Sequence, residues 1–336
     1  MPVNADKPHV WKADVAQSAD GYDDWYMRHA PQAYRDARNE VADRVEEILR
    51  ATGNLTAITP EALRQDPKML ATLRMMTDPP IARDALVGIT HVSPVLVTAM
   101  ERDGQIPAQL FDTVVDADLQ KIGDTITRLA DRDIFSWLEG NYHLTGVQLR
   151  RAATIVADRL CLASADMIVR EAQKRRQLAA VKTWLNGRGY SLVESGRLLG
   201  FDRMTPGTFS FGLNVPVMRA GKATPIALPI DVAIMPQQSN AGDAPLLMDA
   251  RSSGDYAKSN RRRIEDGAKL ALLRGAYGAG ARLVLFLSGY FDSGYLGYIA
   301  AEGIDWVWEH RVNDLAGLDL VKLTLVDQRQ AGRAPA

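Results

Sequence analysis

Apolar residues at helical spacing dominate the first half of the chain. From Tyr34 to Arg50, Ala37, Val41, Val45 and Ile48 recur at the interval that predicts an amphipathic helix. Thr59, Pro60 and Glu61 open another helix, with proline at its first position, where a missing N–H is tolerated. Asp78-Pro79-Pro80 is a break, and Ser93-Pro94 opens a further helix. One long helix is predicted from about Arg150 to Asn186, stopped by Gly187 and Gly189. The pattern changes near Tyr190. Short apolar runs then alternate with turn signals, which predicts strands at Thr208 to Val217, Ile226 to Met235 (interrupted by Pro229), Pro245 to Arg251 and Arg282 to Leu287. Gln237 to Asp243 reads as a polar loop. Lys258 to Tyr277 reads as a helix with Ile264, Ala268, Ala271 and Leu272 on one face. The order helix, strand, strand, strand, helix, strand predicts an α/β fold, with a mixed-sheet core in the C-terminal half behind a mostly helical N-terminal half. The expected division is a helical region over 1–149, an α/β catalytic core over 150–320 and a tail over 321–336.

Composition narrows the classes without changing that picture. The 336 residues allow about two domains or one large enzyme. A hydrophobic fraction of 46% and a charged fraction of 24% exclude a collagen-like or low-complexity chain. The formal net charge of −1 excludes binding of nucleic acid through bulk charge, but not through a basic face. Such a face is suggested by residues 150–190, with nine Lys or Arg against three acids, and by 251–263, with five against one. Two solvated helix faces would give the same pattern. The single Cys161 allows neither an intrachain disulfide nor a cysteine zinc cluster and reads as a small core residue. The five histidines are scattered without ligand spacing. Asp6, Lys7, Lys12 and Asp14 speak against a signal peptide, and the densest apolar run, Leu283 to Leu287, is far short of the roughly 18 residues of a membrane span. A soluble, cytoplasmic protein is expected.

The segment richest in candidate chemistry is Asp231, then 17 residues, then Asp249-Ala250-Arg251. Side chains alternate along a strand, so Asp249 and Arg251 share a side. If the two strands are neighbours, both carboxylates meet, and with the Ala250 carbonyl and waters they suit Mg²⁺. Such an ion lowers the pKa of a bound water and offsets phosphate charge. The competing reading is a pair of turn-capping or surface aspartates. Two features favour the metal site. Asp249 follows Leu246-Leu247-Met248, an expensive place for an unpaired charge. It also precedes Ser252, Lys258, Asn260 and Arg261-Arg262-Arg263, cationic and polar groups suited to phosphodiesters.

Several stretches carry a family resemblance: Val3-Asn4-Ala5-Asp6-Lys7-Pro8-His9-Val10-Trp11, Thr72-Leu73-Arg74-Met75, Pro79 to Asp84, Ala157-Asp158-Arg159-Leu160-Cys161, Pro206 to Phe211, Ser253-Gly254-Asp255, and Gly289-Tyr290-Phe291 through Gly303 to Arg311. Collinear from residue 4 to about 314, the chain resembles the XamI family of type II restriction endonucleases, which includes SalI-like enzymes. That family looks like a member of the PD-(D/E)XK nuclease superfamily, which cuts DNA with Mg²⁺. The resemblance implies Asp231 as the first metal-binding acid and Asp249 as the second, where related enzymes more often have Glu. Asp158, Asp166 or Glu171 would add a further acid, with Glu171 taken as the candidate. Arg251 stands where the motif has Lys. A guanidinium cannot be a general base, though it can hold a phosphate. Lys258 is the candidate to reach in and take the missing role.

The resemblance further implies a double-stranded DNA substrate with a short palindromic site of the GTCGAC type, and a cognate methyltransferase that protects host DNA. The two-fold symmetry of a palindrome then points to a homodimer. The alternative is a sequence-specific DNA-binding homologue whose cleavage is weak or lost through Arg251. A third reading is an α/β enzyme acting on a small phosphorylated substrate. Candidate DNA contacts are Asn240, Ser252, Asn260, Arg261, Arg262 and Arg263, with Gln237, Gln238, Ser239, Asp292 and Ser293 as further base readers. Gly275 to Gly280 loosely resembles a phosphate loop but reads better as a helix stop. The aromatic group Tyr290, Phe291, Tyr295, Tyr298, Trp306 and Trp308 is expected mostly to pack the C-terminal segment.

Overall fold

A computed structural model describes residues 2–140, 144–194, 201, 204–219, 224–240, 243–256 and 259–320, without the side chains of 259–261 and 263. Ten α-helices are described: α1 Pro8–Ala51, α2 Pro60–Gln65, α3 Met69–Arg74, α4 Arg83–Thr90, α5 Pro94–Asp103, α6 Asp112–Leu129, α7 Gly146–Leu162, α8 Ala165–Asn186, α9 Ser259–Tyr277 and α10 Ser293–Ala301. The strands are β1 Ser191–Leu192, β2 Thr208–Val217, β3 Ile226–Met235, β4 Leu246–Ser253, β5 Arg282–Gly289 and β6 Asp305–Trp308. The chain forms two compact units, one of residues up to Ala30 with those from Arg170 onward, the other Pro31–Val169. A linear division does not anticipate that the first thirty residues join the strand-bearing unit.

The unit of residues 31–169 is all helical. Val45, Ile48, Leu49, Leu63, Leu70, Leu96, Leu119, Ile122 and Val156 meet in its core. Local signals set several helix ends. The Thr59 side chain accepts from Ala62 N ahead of Pro60, and Thr145 with Gln148 forms a capping box at α7. The single helix expected over 150–186 is two. α7 stops at Leu162, where Ser164 N donates to the Cys161 carbonyl at 2.9 Å, and the Ser164 carbonyl then accepts from Ile168 N at 2.9 Å to start α8. Serine favours such a junction over a helix interior. Cys161 is buried, as a small core residue would be.

The strand-bearing unit holds one six-stranded sheet in sequence order, β1 to β6. β2–β3 and β3–β4 are antiparallel, and β4–β5 and β5–β6 are parallel, so the sheet is mixed. β4 over Leu246–Met248 and β5 over Leu283–Leu287 are apolar on both faces, as strand segments covered on both sides must be. On one face Val181, Trp184 and Leu185 of α8 pack on Val232, Met248, Phe286 and Val307. On the other, Leu270 and Leu273 of α9 and Leu296 and Ile299 of α10 pack on Leu247, Leu285 and Leu287. Trp306, Trp308, Phe291 and Tyr295 are core residues, while the Tyr290 hydroxyl donates to Asp23 at 2.7 Å. The opening segment also belongs to this unit: Asn4 N donates to Asp305 Oδ1 at 3.0 Å, Asn4 Nδ2 to the Trp306 carbonyl at 2.9 Å, and Trp11 Nε1 to the Asn4 carbonyl at 2.9 Å.

The face expected for α9 is corrected. Ile264, Ala268 and Ala271 are exposed, whereas Asp266, Leu270 and Leu273 are buried. Charged residues occupy part of the inward stripe, so apolar periodicity alone selects the wrong side.

Gly289 closes β5 at φ +96°, and a Cβ there would lie 2.1 Å from the Ser253 carbonyl oxygen. Gly289→Ala is therefore expected to cost about 1–3 kcal/mol through backbone strain and displacement. An unchanged midpoint in urea denaturation would contradict this.

Candidate active site

The site lies where β3 and β4 part. Their ladder pairs Ile234 with Leu246, Ala233 with Leu247 and Val232 with Met248, and then ends. Pro229, two residues beyond Asp231, has no N–H to continue it. β4 continues against β5, with Asp249 opposite Leu285 and Arg251 opposite Leu287. The gap is filled by side chains. Asp231 N donates to Asp249 Oδ1 at 3.3 Å, and Ala250 N donates to Asp231 Oδ2 at 3.0 Å. Each strand's carboxylate thus takes an amide of the other, which brings the two acids expected from the sequence to one place. The N–H and C=O of a strand residue point to the same side, so the Ala250 carbonyl also faces the gap.

Asp249 is 1% exposed. A carboxylate buried this deeply must be paired. Arg251 Nη2 donates to its Oδ2 at 3.1 Å, and Lys269 Nζ from α9 donates to the same oxygen. Lys269 Nζ also donates to the Pro229 carbonyl. Arg251 is also held by Asp266: Nε and Nη2 donate to Asp266 Oδ1 at 3.0 and 2.7 Å, and the Tyr295 hydroxyl donates to Asp266 Oδ2 at 2.8 Å. Burial pushes the Arg251 guanidinium down, but Asp249 and Asp266 more than reverse this, so its pKa is raised. Burial and then Asp266 raise the Tyr295 hydroxyl. Both groups keep their protons at neutral pH. On Asp231, which is 13% exposed, Lys174 Nζ from α8 lies 2.6 Å from Oδ1.

Arg251 therefore acts as a two-sided clamp between Asp249 and Asp266. A lysine has one ammonium and cannot reproduce the fork. Arg251→Lys is expected to lower stability by about 1–3 kcal/mol, the scale of lost hydrogen bonds to charged groups, without raising the rate of DNA cutting. A clear rate increase would show that the guanidinium is a handicap.

The remaining candidates are dispersed. Glu171 is exposed and lies one turn before Lys174 on the same side of α8. Asp158 is engaged within the helical unit by the Tyr34 hydroxyl at 3.2 Å and Arg38 Nη1 at 3.3 Å. Arg262 is half-buried, and burial lowers its pKa against the opposing pull of Asp255 and Tyr295. Ser252 is half-buried and Asn240 exposed. Lys258 and the side chains of Asn260, Arg261 and Arg263 lie outside the described residues. Gln237 Nε2 donates to the Arg188 carbonyl at 2.8 Å and Gln238 Nε2 to the Asp319 carbonyl, so both are engaged in the free protein. Asp292 caps α10 through Tyr295 N at 2.7 Å. Gly278 closes α9 at φ +88°, as a helix stop.

Sequence reasoning missed Lys269, Lys174, Asp266, Tyr295 and Gln177. Gln177 Nε2 donates to the Phe286 carbonyl at 2.9 Å and the Arg251 carbonyl at 3.3 Å, tying α8 to the two central strands. The readable signal for the α9 residues was spacing: Arg262, Asp266, Lys269 and Leu273 recur at three to four residues and mark one stripe.

Among the described residues, no group of three or more His, Cys, Asp or Glu side chains forms a metal cage. Two carboxylates with a carbonyl are nonetheless an all-oxygen donor set, which fits a hard divalent cation that retains waters and gains ligands from a phosphate. No helix among the described residues is long and apolar enough to cross a membrane.

A solved structure, the crystal structure of protein VC1899 from Vibrio cholerae, aligns with 75% of this chain and 55% of its own at 11% identity and a TM-score of 0.29. The chain is 48% identical over 313 residues to Type II restriction enzyme SalI of Streptomyces albus G, covering 93% of this chain and 98% of that protein. The family model described as XamI restriction endonuclease matches residues 53–308, and the chain belongs to that family.

Proposed function

We propose that this protein is a type II restriction endonuclease that hydrolyses double-stranded DNA at a short palindrome of the GTCGAC type with Mg²⁺, in the manner of a PD-(D/E)XK nuclease. The observation that carries this reading is the meeting of Asp231 and Asp249 at the parting of β3 and β4, with Lys269 on Asp249. Asp231, Asp249 and the Ala250 carbonyl would hold the ion, which when bound supplies positive charge beside the phosphate and makes water more acidic. Asp249 is held in place by Arg251, which Asp266 and Tyr295 anchor in turn. Lys269 places a proton-exchanging group at Asp249, where Arg251 supplies only fixed charge. It thus takes the part that the sequence reading assigned to Lys258. Arg262, one turn before Asp266 on α9, is suited to a backbone phosphate, and Ser252, Asn240, Asn260, Arg261 and Arg263 remain candidate DNA contacts. Glu171 is the acid proposed to extend the metal shell. Cutting both strands of a palindrome calls for a homodimer, and such an enzyme acts in the cytoplasm beside a methyltransferase that protects host DNA.

Incubation with plasmid carrying GTCGAC tests the reading. Discrete fragments with Mg²⁺ that disappear with chelator are expected. Sequence-specific retention of the duplex without cutting would instead identify a non-cutting homologue.

A further inference from the structure

Three cations converge on the two carboxylates, and they are not equivalent. Arg251 is held at a second point by Asp266, and Lys269 at a second point by the Pro229 carbonyl. Lys174 has Asp231 as its one ion-pair partner among the described residues, and its side chain is 37% exposed. Asp231 Oδ2 is taken by Ala250 N, a bond that holds the parted strands together. The oxygen with no backbone donor is Oδ1, and Lys174 Nζ covers it at 2.6 Å. A small divalent cation would lie about 2.0–2.1 Å from the same oxygen. Ammonium and ion would then be in near contact as like charges, so one excludes the other.

We propose that Lys174 is the exchange cation of the site. It neutralises Asp231 in the free protein, leaves when the divalent ion loads, and then binds a DNA backbone phosphate. Lysine suits this traffic: its charge is compact, its stem is flexible and its three donors have no fixed plane. The surrounding part of α8, with Arg170, Lys174, Arg175 and Arg176, is a cationic run. Arg176 is already committed to Glu309 at 3.1 Å. With DNA present, a phosphate holds Lys174 away from Asp231, so the metal binds more tightly. By linkage, metal must then strengthen DNA binding by the same factor. The proposal rests on the reading of this site as a metal-dependent nuclease.

The test uses the full-length protein with Ca²⁺ as the probe. Calorimetric titration without DNA should show Ca²⁺ binding about five- to tenfold tighter in Lys174→Met and Lys174→Gln than in the wild type, with Lys174→Arg near the wild type. In duplex binding followed by fluorescence anisotropy, the gain in affinity on adding Ca²⁺ should shrink by a similar factor in the two neutral variants. Equal or weaker Ca²⁺ affinity in both neutral variants, or an undiminished gain, overturns the exchange role. If the wild type still cuts plasmid under Mg²⁺ in that case, only the exchange role falls. If no protein binds a divalent ion and none cuts, the nuclease reading falls with it.

Discussion

Lys269→Met is expected to slow DNA hydrolysis by about 10²- to 10³-fold, the cost of removing one aligned donor or proton-transfer group from an active site. Duplex affinity should stay within about threefold, because phosphate contacts elsewhere dominate binding. Lys269 projects from mid-helix into the gap between β3 and β4 and meets Asp249 there. Lys269→Arg separates the two ways in which it can act. Arginine keeps the charge but cannot exchange the proton, so cutting should remain slow if proton exchange matters. Single-turnover rates on a duplex substrate give the answer. A Lys269→Met enzyme cutting near the wild-type rate would remove this residue from the mechanism.

The second large effect concerns the acids themselves. Asp231→Asn and Asp249→Asn are each expected to reduce cutting by about 10³-fold or more, since each removes charge that a divalent ion needs. Their stabilities should diverge. Asp249 is buried and balances both Arg251 and Lys269. Its neutralisation leaves two cations against Asp266 alone, at a cost of about 2–4 kcal/mol. Asp231 faces a single, partly exposed Lys174, and its loss should cost about 1 kcal/mol or less. Paired urea denaturation curves check this. Equal midpoints for the two variants would mean that the cations around Asp249 are not held by it.

These expectations show which parts of the molecule could be read from the chain. β2 and β3 begin and end where alternation and turn residues place them. Asp249 was visible because a charge next to Leu246-Leu247-Met248 demands an explanation, and Asp231 because a neighbouring strand would bring it to Asp249. The inward side of α9 was not visible, because Asp266 and Lys269 occupy positions that a purely structural helix fills with apolar groups. The short β6 was hidden for a related reason. Trp306 and Trp308 read as a packing cluster, while their alternation with Val307 is the period of a strand with two buried faces. Lys174 and Gln177 lie 57 and 74 residues before their partners Asp231 and Arg251, and only tertiary contact brings them together.

The capture of the opening segment by β6 bears on how the enzyme is made. Asn4 meets Asp305 and Trp306 across a sequence separation of 301 and 302 residues. Chains leave the ribosome from the amino end. The first residues must therefore wait, unclamped, until β6 has emerged, and a nascent chain halted before that strand lacks the belt that closes the strand-bearing unit. The fold thus makes closure of the strand-bearing unit a late event in synthesis.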